Sequence, residues 1–268
     1  MAEQDKQDKQ EQKLIDAATV LIVRDRPDGM EVFMVVRHHQ IDFASGALVF
    51  PGGKVDLGDR DPLLRDYCVG AEGLDDKQLA FKVAAIRESY EECGVLLARN
   101  KGSHAYISAE ELLKFEPWRD KFNSGLANML EFAQAANLEF ALDELGHYAH
   151  WITPDMMPKR FDTHFYLARA PEDHLAIHDG SESVDSVWIR PDDAIAEADA
   201  GTKTIIFPTL LNVQMLATRS GVADAFEKCG DVKTVEPFVQ KNADGEPELC
   251  IQPDAGYGDI REPIKGMK

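Results

Sequence analysis

Three glutamates and an arginine stand close enough in this chain to do chemistry. In the run Arg87-Glu88-Ser89-Tyr90-Glu91-Glu92, the glutamates occupy positions i, i+3 and i+4. On a helix that spacing puts all three on one face. Like charges so placed repel by roughly a few tenths of a kcal/mol per pair. A divalent cation reverses the sign, because a hard ion such as Mg²⁺ takes oxygen ligands, with water and substrate phosphate completing its shell. Arg87 stands one turn before Glu91, near enough to pair with it. The plain alternative for such a run in an acidic chain is a solvated helix face. Upstream, Phe50-Pro51-Gly52-Gly53 ends an apolar run sharply, and glycines there let backbone approach a ligand or ion without side-chain interference. Either feature alone is commonplace. A glycine turn after a strand, followed by an acidic helix that stops at a glycine, is a specific constellation.

The elements that must hold these residues are readable from periodicity. Leu79, Val83, Ile86, Tyr90 and Cys93 form one stripe at helical spacing, with Glu88, Glu91 and Glu92 on the opposite side. The pattern predicts a helix over 77–93, capped by Asp75 or Asp76 and stopped by Gly94. Strands are expected at 16–24 and 31–37, around Pro27-Asp28-Gly29, then at 47–50, 146–153, 161–169 and 186–189. Residues 108–136 read as helical from a capping box at Ser108 and Glu111. Further helices open at Pro191 and Pro208, and 233–240 with 247–252 read as a closing hairpin about Asn242–Gly245. Residues 60–75 lack a helical period and read as a loop, while 76–86 extend the carboxylate helix backwards. The order predicts one α/β sandwich domain over 15–218 with insertions at 60–86 and 108–136. A disordered tail is expected at 1–14 and a C-terminal extension at 219–268.

Charge narrows the partners. With 48 acidic against 29 basic residues the formal net charge is −19, which repels nucleic-acid backbones. A phosphate-bearing substrate would need local cations. No run approaches the roughly 20 apolar residues of a membrane helix. The first residues are too polar for a signal peptide, and Gly266-Met267-Lys268 is not a peroxisomal address. The four cysteines are widely spaced, without zinc-type or redox pairing, so reduced thiols in the cytoplasm are expected. Oligomeric state is left open, a homodimer included.

FPGGKVDLGD (50–59) and RESYEECGVLL (87–97) together resemble the Nudix box, G-x5-E-x7-R-E-U-x-E-E-x-G-U with U aliphatic. Gly53, Arg87, Glu88, Glu91, Glu92, Gly94 and Val95 match it. Asp59 replaces the first Glu, and Ser89 the first aliphatic residue. Residues 60–86, 27 in number, stand where the pattern has seven. This interruption, with HWITPDMMPKRFDTHFYLA (150–168) and VWIRPDDAI (187–195), is similar to the long-insert Nudix subgroup that includes a mammalian peroxisomal coenzyme A diphosphatase. The likeness covers about residues 15–218.

The resemblance implies an α/β/α sandwich with a mixed sheet and helical insertions, and an enzyme that hydrolyses a diphosphate linkage with Mg²⁺ or Mn²⁺. It implies Glu91, Glu92 and the Gly53 carbonyl as metal ligands, Glu88 as ligand or general base, and Arg87 as the group orienting the glutamates. The substrate would be a small nucleoside diphosphate derivative, contacted by Arg37, Phe50 and Gly52. Coenzyme A-cleaving members often carry an Arg, a second Arg five residues on, then G-x3-FPGG. Arg37 and Gly46 fit that frame, Asp42 does not, and His38 and His39 are candidate phosphate contacts. Coenzyme A or acyl-coenzyme A is therefore the leading substrate. Nucleotide sugars, dinucleotides, ADP-ribose, or a module that binds nucleotide without cleaving it, remain the alternatives. Asp179, Glu182 and Asp185 are candidates for an additional acid from a loop.

Overall fold

Backbone pairing begins with β1 (Ile15–Arg26) and β2 (Gly29–Arg37), antiparallel around Pro27 and Asp28. Gly29 closes that turn at φ 126°, a conformation that costs a glycine little. The pairing runs from Arg26–Gly29 to Val23–Val32. Beyond it, β3 (Leu48–Val49) pairs with β2, and β4 (Gly52–Lys54) pairs with β1. This wedge carries the Pro51-Gly52-Gly53 turn and sets it at the same end of the sheet as Arg37. The structure, a computed structural model, describes residues 13–37, 46–174 and 183–264.

The insertion is more ordered than a loop. A 3₁₀ turn at Gly58–Arg60 and a 3₁₀ helix at Pro62–Tyr67 lead into β5 (Cys68–Val69), and α1 (Asp76–Cys93) follows. Asp75 caps α1 by accepting the Gln78 N–H, while the Gln78 side chain accepts the Asp75 N–H. Gly94 ends the helix in the left-handed conformation, φ 68°. Next come β6 (Ala98–Asn100), α2 (Ala109–Leu112), α3 (Glu116–Asn123), α4 (Met129–Ala136) and β7 (Leu138–Ala141). The Ser108–Glu111 capping box is present. The single helical stretch expected over 108–136 is instead broken into pieces. Pro117 belongs in the first turn of a helix, where no N–H is needed, and Gly125 at φ 66° ends the segment it follows. β5, β7 and β6 form a small sheet, so the stretch expected as a loop is tied to residues 138–141 by strand pairing.

The remaining elements are β8 (Gly146–Ile152), β9 (Phe161–Arg169), β10 (Ser183–Ile189), α5 (Pro191–Asp199), α6 (Phe207–Ala217), α7 (Val222–Glu227), β11 (Thr234–Val235), β12 (Phe238–Lys241), β13 (Pro247–Cys250) and β14 (Arg261–Pro263). The main sheet runs β10-β2-β1-β9-β8-β11, mixed because β1 with β9 and β8 with β11 are parallel. The expected closing hairpin is present as β12 and β13, but residues 234–235 leave it to join β8. Pro237, without an N–H, separates the two pieces.

Alternation sorts β1 and β2 into two apolar layers. Val20, Ile22, Phe33 and Val35 pack toward Leu79, Val83, Ile86 and Tyr90 of α1. Leu21, Val23, Val32 and Met34 pack toward Leu211, Val213 and Leu216 of α6. The result is the expected α/β/α sandwich. On the α6 side the Tyr257 hydroxyl donates to Asn212 and accepts from the Trp151 ring N–H, joining residues beyond 218 to the domain. Among the described residues no helix is long and apolar enough to cross a membrane.

The insertion contributes core of its own, since Leu64 is fully buried within the α1 layer while Leu63 is 56% exposed. Leu64→Ala should therefore cost about 2–5 kcal/mol in urea unfolding. Leu63→Ala should stay within about 0.5 kcal/mol of wild type. Equal effects would mean that the insertion packs as mere decoration.

Candidate active site

α1 and β4 meet at Gly52 and Gly53 so closely that side chains are excluded. A Cβ on Gly53 would stand 2.5–2.7 Å from the carboxyl atoms of Glu88. One on Gly52 would stand 2.5 Å from the Ala18 carbonyl oxygen. At Gly52 the backbone of β1 demands glycine; at Gly53 a side chain would instead push the Glu88 carboxyl away from the turn. The Gly52 N–H donates to Glu92 Oε2 at 3.0 Å. Thus Glu88 and Glu92, one turn apart on the helix, both rest against the glycine turn.

Arg87, 5% exposed, organises the rest. Its Nε donates to both carboxylate oxygens of Asp59 at 3.0 and 3.2 Å, and Nη2 donates to Asp59 Oδ2 at 3.0 Å and to the Lys54 carbonyl at 2.7 Å. Its Nη1 lies 3.1 Å from Glu91 Oε2 and 2.9 Å from Glu88 Oε1. Asp59 is 1% exposed and also accepts the Asp56 N–H at 2.8 Å. The shorter acid at the first Glu position of the motif therefore faces Arg87 across 28 residues of sequence.

The glutamate face is not solvated. Glu88 is 7% and Glu92 9% exposed, because β4 and the insertion lie across them. Burial pushes the Glu88 carboxyl up to about 8, with Arg87 opposing and Glu91 adding to the rise. Burial likewise raises Glu91 and Asp59 against the pull of Arg87. Burial alone would lower Arg87, but Glu88, Asp59 and Glu91 outweigh it and hold the guanidinium charged. Four carboxylates (Asp59, Glu88, Glu91 and Glu92) thus face one guanidinium, a formal surplus of three negative charges when all are ionised. Carboxylates and the Gly53 backbone make an all-oxygen donor set, which fits a hard divalent cation such as Mg²⁺ or Mn²⁺.

The other expected residues are placed as follows. Arg37 ends β2 half-buried, and its Nε has no hydrogen-bond partner among the described residues. Phe50 is 3% exposed and packs in the α6 layer, so it supports the turn from beneath. The Gly52 N–H is already engaged by Glu92. Asp185 stands exposed on β10, its carboxylate accepting the Ser186 N–H. His38, His39, Asp42, Asp179 and Glu182 lie outside the described residues, as does most of the expected N-terminal tail. An open depression of about 780 Å³ beside β10 and α5 is lined by Asp28, Glu31, Trp188, Arg190, Asp193 and Glu197, and the glutamate turn has no part in it.

Among the described residues, one group of three metal-capable side chains has its ligand atoms within 4.8 Å of one another: His150, Asp162 and His164, rather than the glutamates. Sequence reasoning missed this cluster. The available signal was Asp162 and His164 at strand spacing, facing a second strand with two histidines, but their register is a tertiary fact.

Comparison with known proteins agrees with this architecture. The NUDT19 Nudix domain model matches residues 70–216, more than half of the chain. Human acyl-coenzyme A diphosphatase NUDT19 is 24% identical over 241 residues, covering 75% of this chain and 64% of the relative. Putative nudix hydrolase 7 of Caenorhabditis elegans is 29% identical over 202 residues, covering 75% of this chain and 60% of the relative. The chain therefore spans less than two thirds of the length of these two relatives. The crystal structure of a NUDIX hydrolase from Alicyclobacillus acidocaldarius superposes with a TM-score of 0.68 at 25% identity, covering 82% of this chain and 98% of that one.

The raised carboxyl has a consequence for stability. Between its ordinary value of 4.5 and about 8, Glu88 holds a proton in the folded protein that the unfolded chain has released. The contribution of Glu88 to the stability of the divalent-free protein should therefore fall as pH rises through that window and level off above it, while buried His147 and His164 contribute the opposite slope below 6.5. Glu88→Gln removes that contribution and leaves those of Glu91 and Asp59 in place. Thermal midpoints in EDTA should diverge between the two proteins from pH 5 to 8, with wild type falling further; parallel curves would refute the assignment.

Proposed function

Because the chain belongs to the Nudix family described by the NUDT19 Nudix domain, we propose that it is a divalent-cation-dependent hydrolase of a diphosphate linkage, acting on coenzyme A or acyl-coenzyme A. The observation carrying this reading is the surplus of buried carboxylate charge that α1 presents to the Gly52–Gly53 turn. A solvated acidic face would need neither the glycines nor the guanidinium. Glu91, Glu92, Glu88 and the Gly53 carbonyl would hold Mg²⁺ or Mn²⁺, which when bound supplies charge to the diphosphate oxygens and acidifies the attacking water. Glu88 then serves as ligand or as the base taking that water's proton. Arg87 is a positioning residue, since its donors go to Asp59, Glu91 and the Lys54 carbonyl.

The substrate assignment draws on the human relative, named an acyl-coenzyme A diphosphatase, and on Arg37. A buried guanidinium nitrogen without a partner among the described residues at this end of the sheet is an available donor, and a guanidinium can bond two oxygens of the 3′-phosphate of coenzyme A. We assign the catalytic unit to residues 15–218, with 60–86 and 108–136 as insertions. The four cysteines are free thiols, which accords with a cytoplasmic setting.

The deciding assay supplies Mg²⁺ or Mn²⁺ with coenzyme A esters, NADH, ADP-ribose and UDP-glucose, and identifies the products by mass. Cleavage of the coenzyme A diphosphate is expected; another substrate turned over faster would displace that assignment. Glu91→Gln and Glu92→Gln should each lower turnover by about a hundredfold or more with circular dichroism unchanged, as expected when a preorganised charge-stabilising group is removed. Wild-type turnover in excess EDTA, or a folded and fully active Glu92→Gln, would sink the metal mechanism.

Arg37→Ala should weaken coenzyme A binding by about 1.5–3 kcal/mol, the range for a charged hydrogen bond. Binding of 3′-dephospho-coenzyme A should barely change. Equal losses for both ligands would show that Arg37 does not read the 3′-phosphate.

A further inference from the structure

We propose that His150, Asp162 and His164 form a second metal site, independent of the glutamates, which takes a borderline divalent cation such as Zn²⁺ through two imidazole nitrogens and one carboxylate oxygen. Strand register assembles it. His150 of β8 pairs directly with His164 of β9, and Asp162 lies two residues before His164, on the same face. A bulge between His147 and Ala149 completes the arrangement. Tyr148 and Ala149 both pack in the α6 layer, so His147 and His150 both turn toward α1. Re-aiming side chains is a recurrent use of bulges.

The ligand atoms converge within 4.8 Å. His150 Nε2 contacts Asp162 Oδ1, and His164 Nε2 lies 3.6 Å from that same oxygen. The three side chains are 16%, 8% and 17% exposed. The outer ring nitrogens have partners of their own. His150 Nδ1 meets Thr234 Oγ1 at 2.8 Å, and His164 Nδ1 meets His147 Nε2 at 2.9 Å. With its proton on Nδ1, His164 turns its Nε2 lone pair inward; His150 Nε2 donates to Asp162 in the ion-free chain, and a cation would displace that proton, leaving Nδ1 to donate to Thr234 Oγ1, the second-sphere arrangement common to metal-binding histidines.

Among the described residues, the inward oxygen of Asp162, Oδ1, is held only by His150, whose hydrogen bond a cation would replace. Lys77 takes the other oxygen of Asp162 at 2.9 Å, yet it is 55% exposed and shared with Asp16, which Arg60 also engages. The cluster lies under the N-terminal half of α1, where the Phe81 ring packs on His164 at 4.2 Å. Glu88 is seven residues further along, about 10 Å of helix rise. Donor chemistry separates the sites as well: nitrogen-rich ligands favour Zn²⁺-like ions, and all-oxygen ligands favour Mg²⁺ or Mn²⁺. Three protein ligands leave one position for water or another donor.

The test uses the full chain stripped of metal and saturated with Mg²⁺ to occupy the glutamates, then titrated with Co²⁺ as a visible stand-in for Zn²⁺. One Co²⁺ per chain should bind, with ligand-field absorption that Zn²⁺ abolishes and excess Mg²⁺ does not. His164→Gln and Asp162→Asn should each weaken uptake about tenfold or more, while Glu92→Gln leaves it unchanged. X-ray absorption of the Co²⁺ protein should show a nitrogen-containing first shell with imidazole scattering, a readout that needs no variant. Absence of uptake in saturating Mg²⁺, uptake indifferent to both folded variants, or an all-oxygen shell would each overturn the site.

Discussion

The buried guanidinium of Arg87 is the contact on which the architecture of the carboxylate site depends. It joins Asp59 of the Gly58–Arg60 turn, the Lys54 carbonyl of β4 and the acids of α1, three segments with no local reason to meet. A buried ion pair of this kind is weak evidence for net stability, because taking both charges out of water offsets much of their attraction. Its value here is geometric. A guanidinium has donors in a fixed plane, so satisfying Asp59, Lys54 and Glu91 together leaves α1 little freedom to rotate or slide against β4. An ammonium in its place would hold the charge but not the register.

Burial follows from the same packing and sets the electrostatics. β1 is covered on both faces, by α1 on one side and α6 on the other, and the insertion closes over α1 from outside. The glutamates of α1 therefore sit beneath protein rather than water, and their protons become harder to remove. A site with surplus buried negative charge is costly unless something positive joins it. That cost makes cation binding and folding stability two views of one term.

The two clusters under α1 show how a single helix can roof two different donor chemistries. At its C-terminal half the partners are a glycine turn and carboxylates, all oxygen. At its N-terminal half they are imidazoles from β8 and β9 with one carboxylate between them. Seven residues of helix and the Phe81 ring separate them.

Much of this was legible in the residues themselves. The helix bearing the glutamates, its Asp75 cap and its Gly94 stop are local features, decided by hydrogen bonds that reach only three or four residues. The apolar stripe of α1 and the alternation in β1 and β2 likewise announce two packed layers, and the Gly52–Gly53 turn announces a close approach. The sequence alone also marked Glu88, Glu91, Glu92 and Arg87 as one group. Other features belong to the tertiary structure alone. That Asp59 meets Arg87, 28 residues away, depended on where a 3₁₀ turn placed it. The order within 60–75 comes from β5 pairing with β7, some 70 residues on, which no local period encodes. Phe50 went to the α6 layer because the wedge of β3 and β4 turns it there. The histidine cluster needed both a strand register and a bulge, and register is chosen only when two strands and the layers on either side of them pack together.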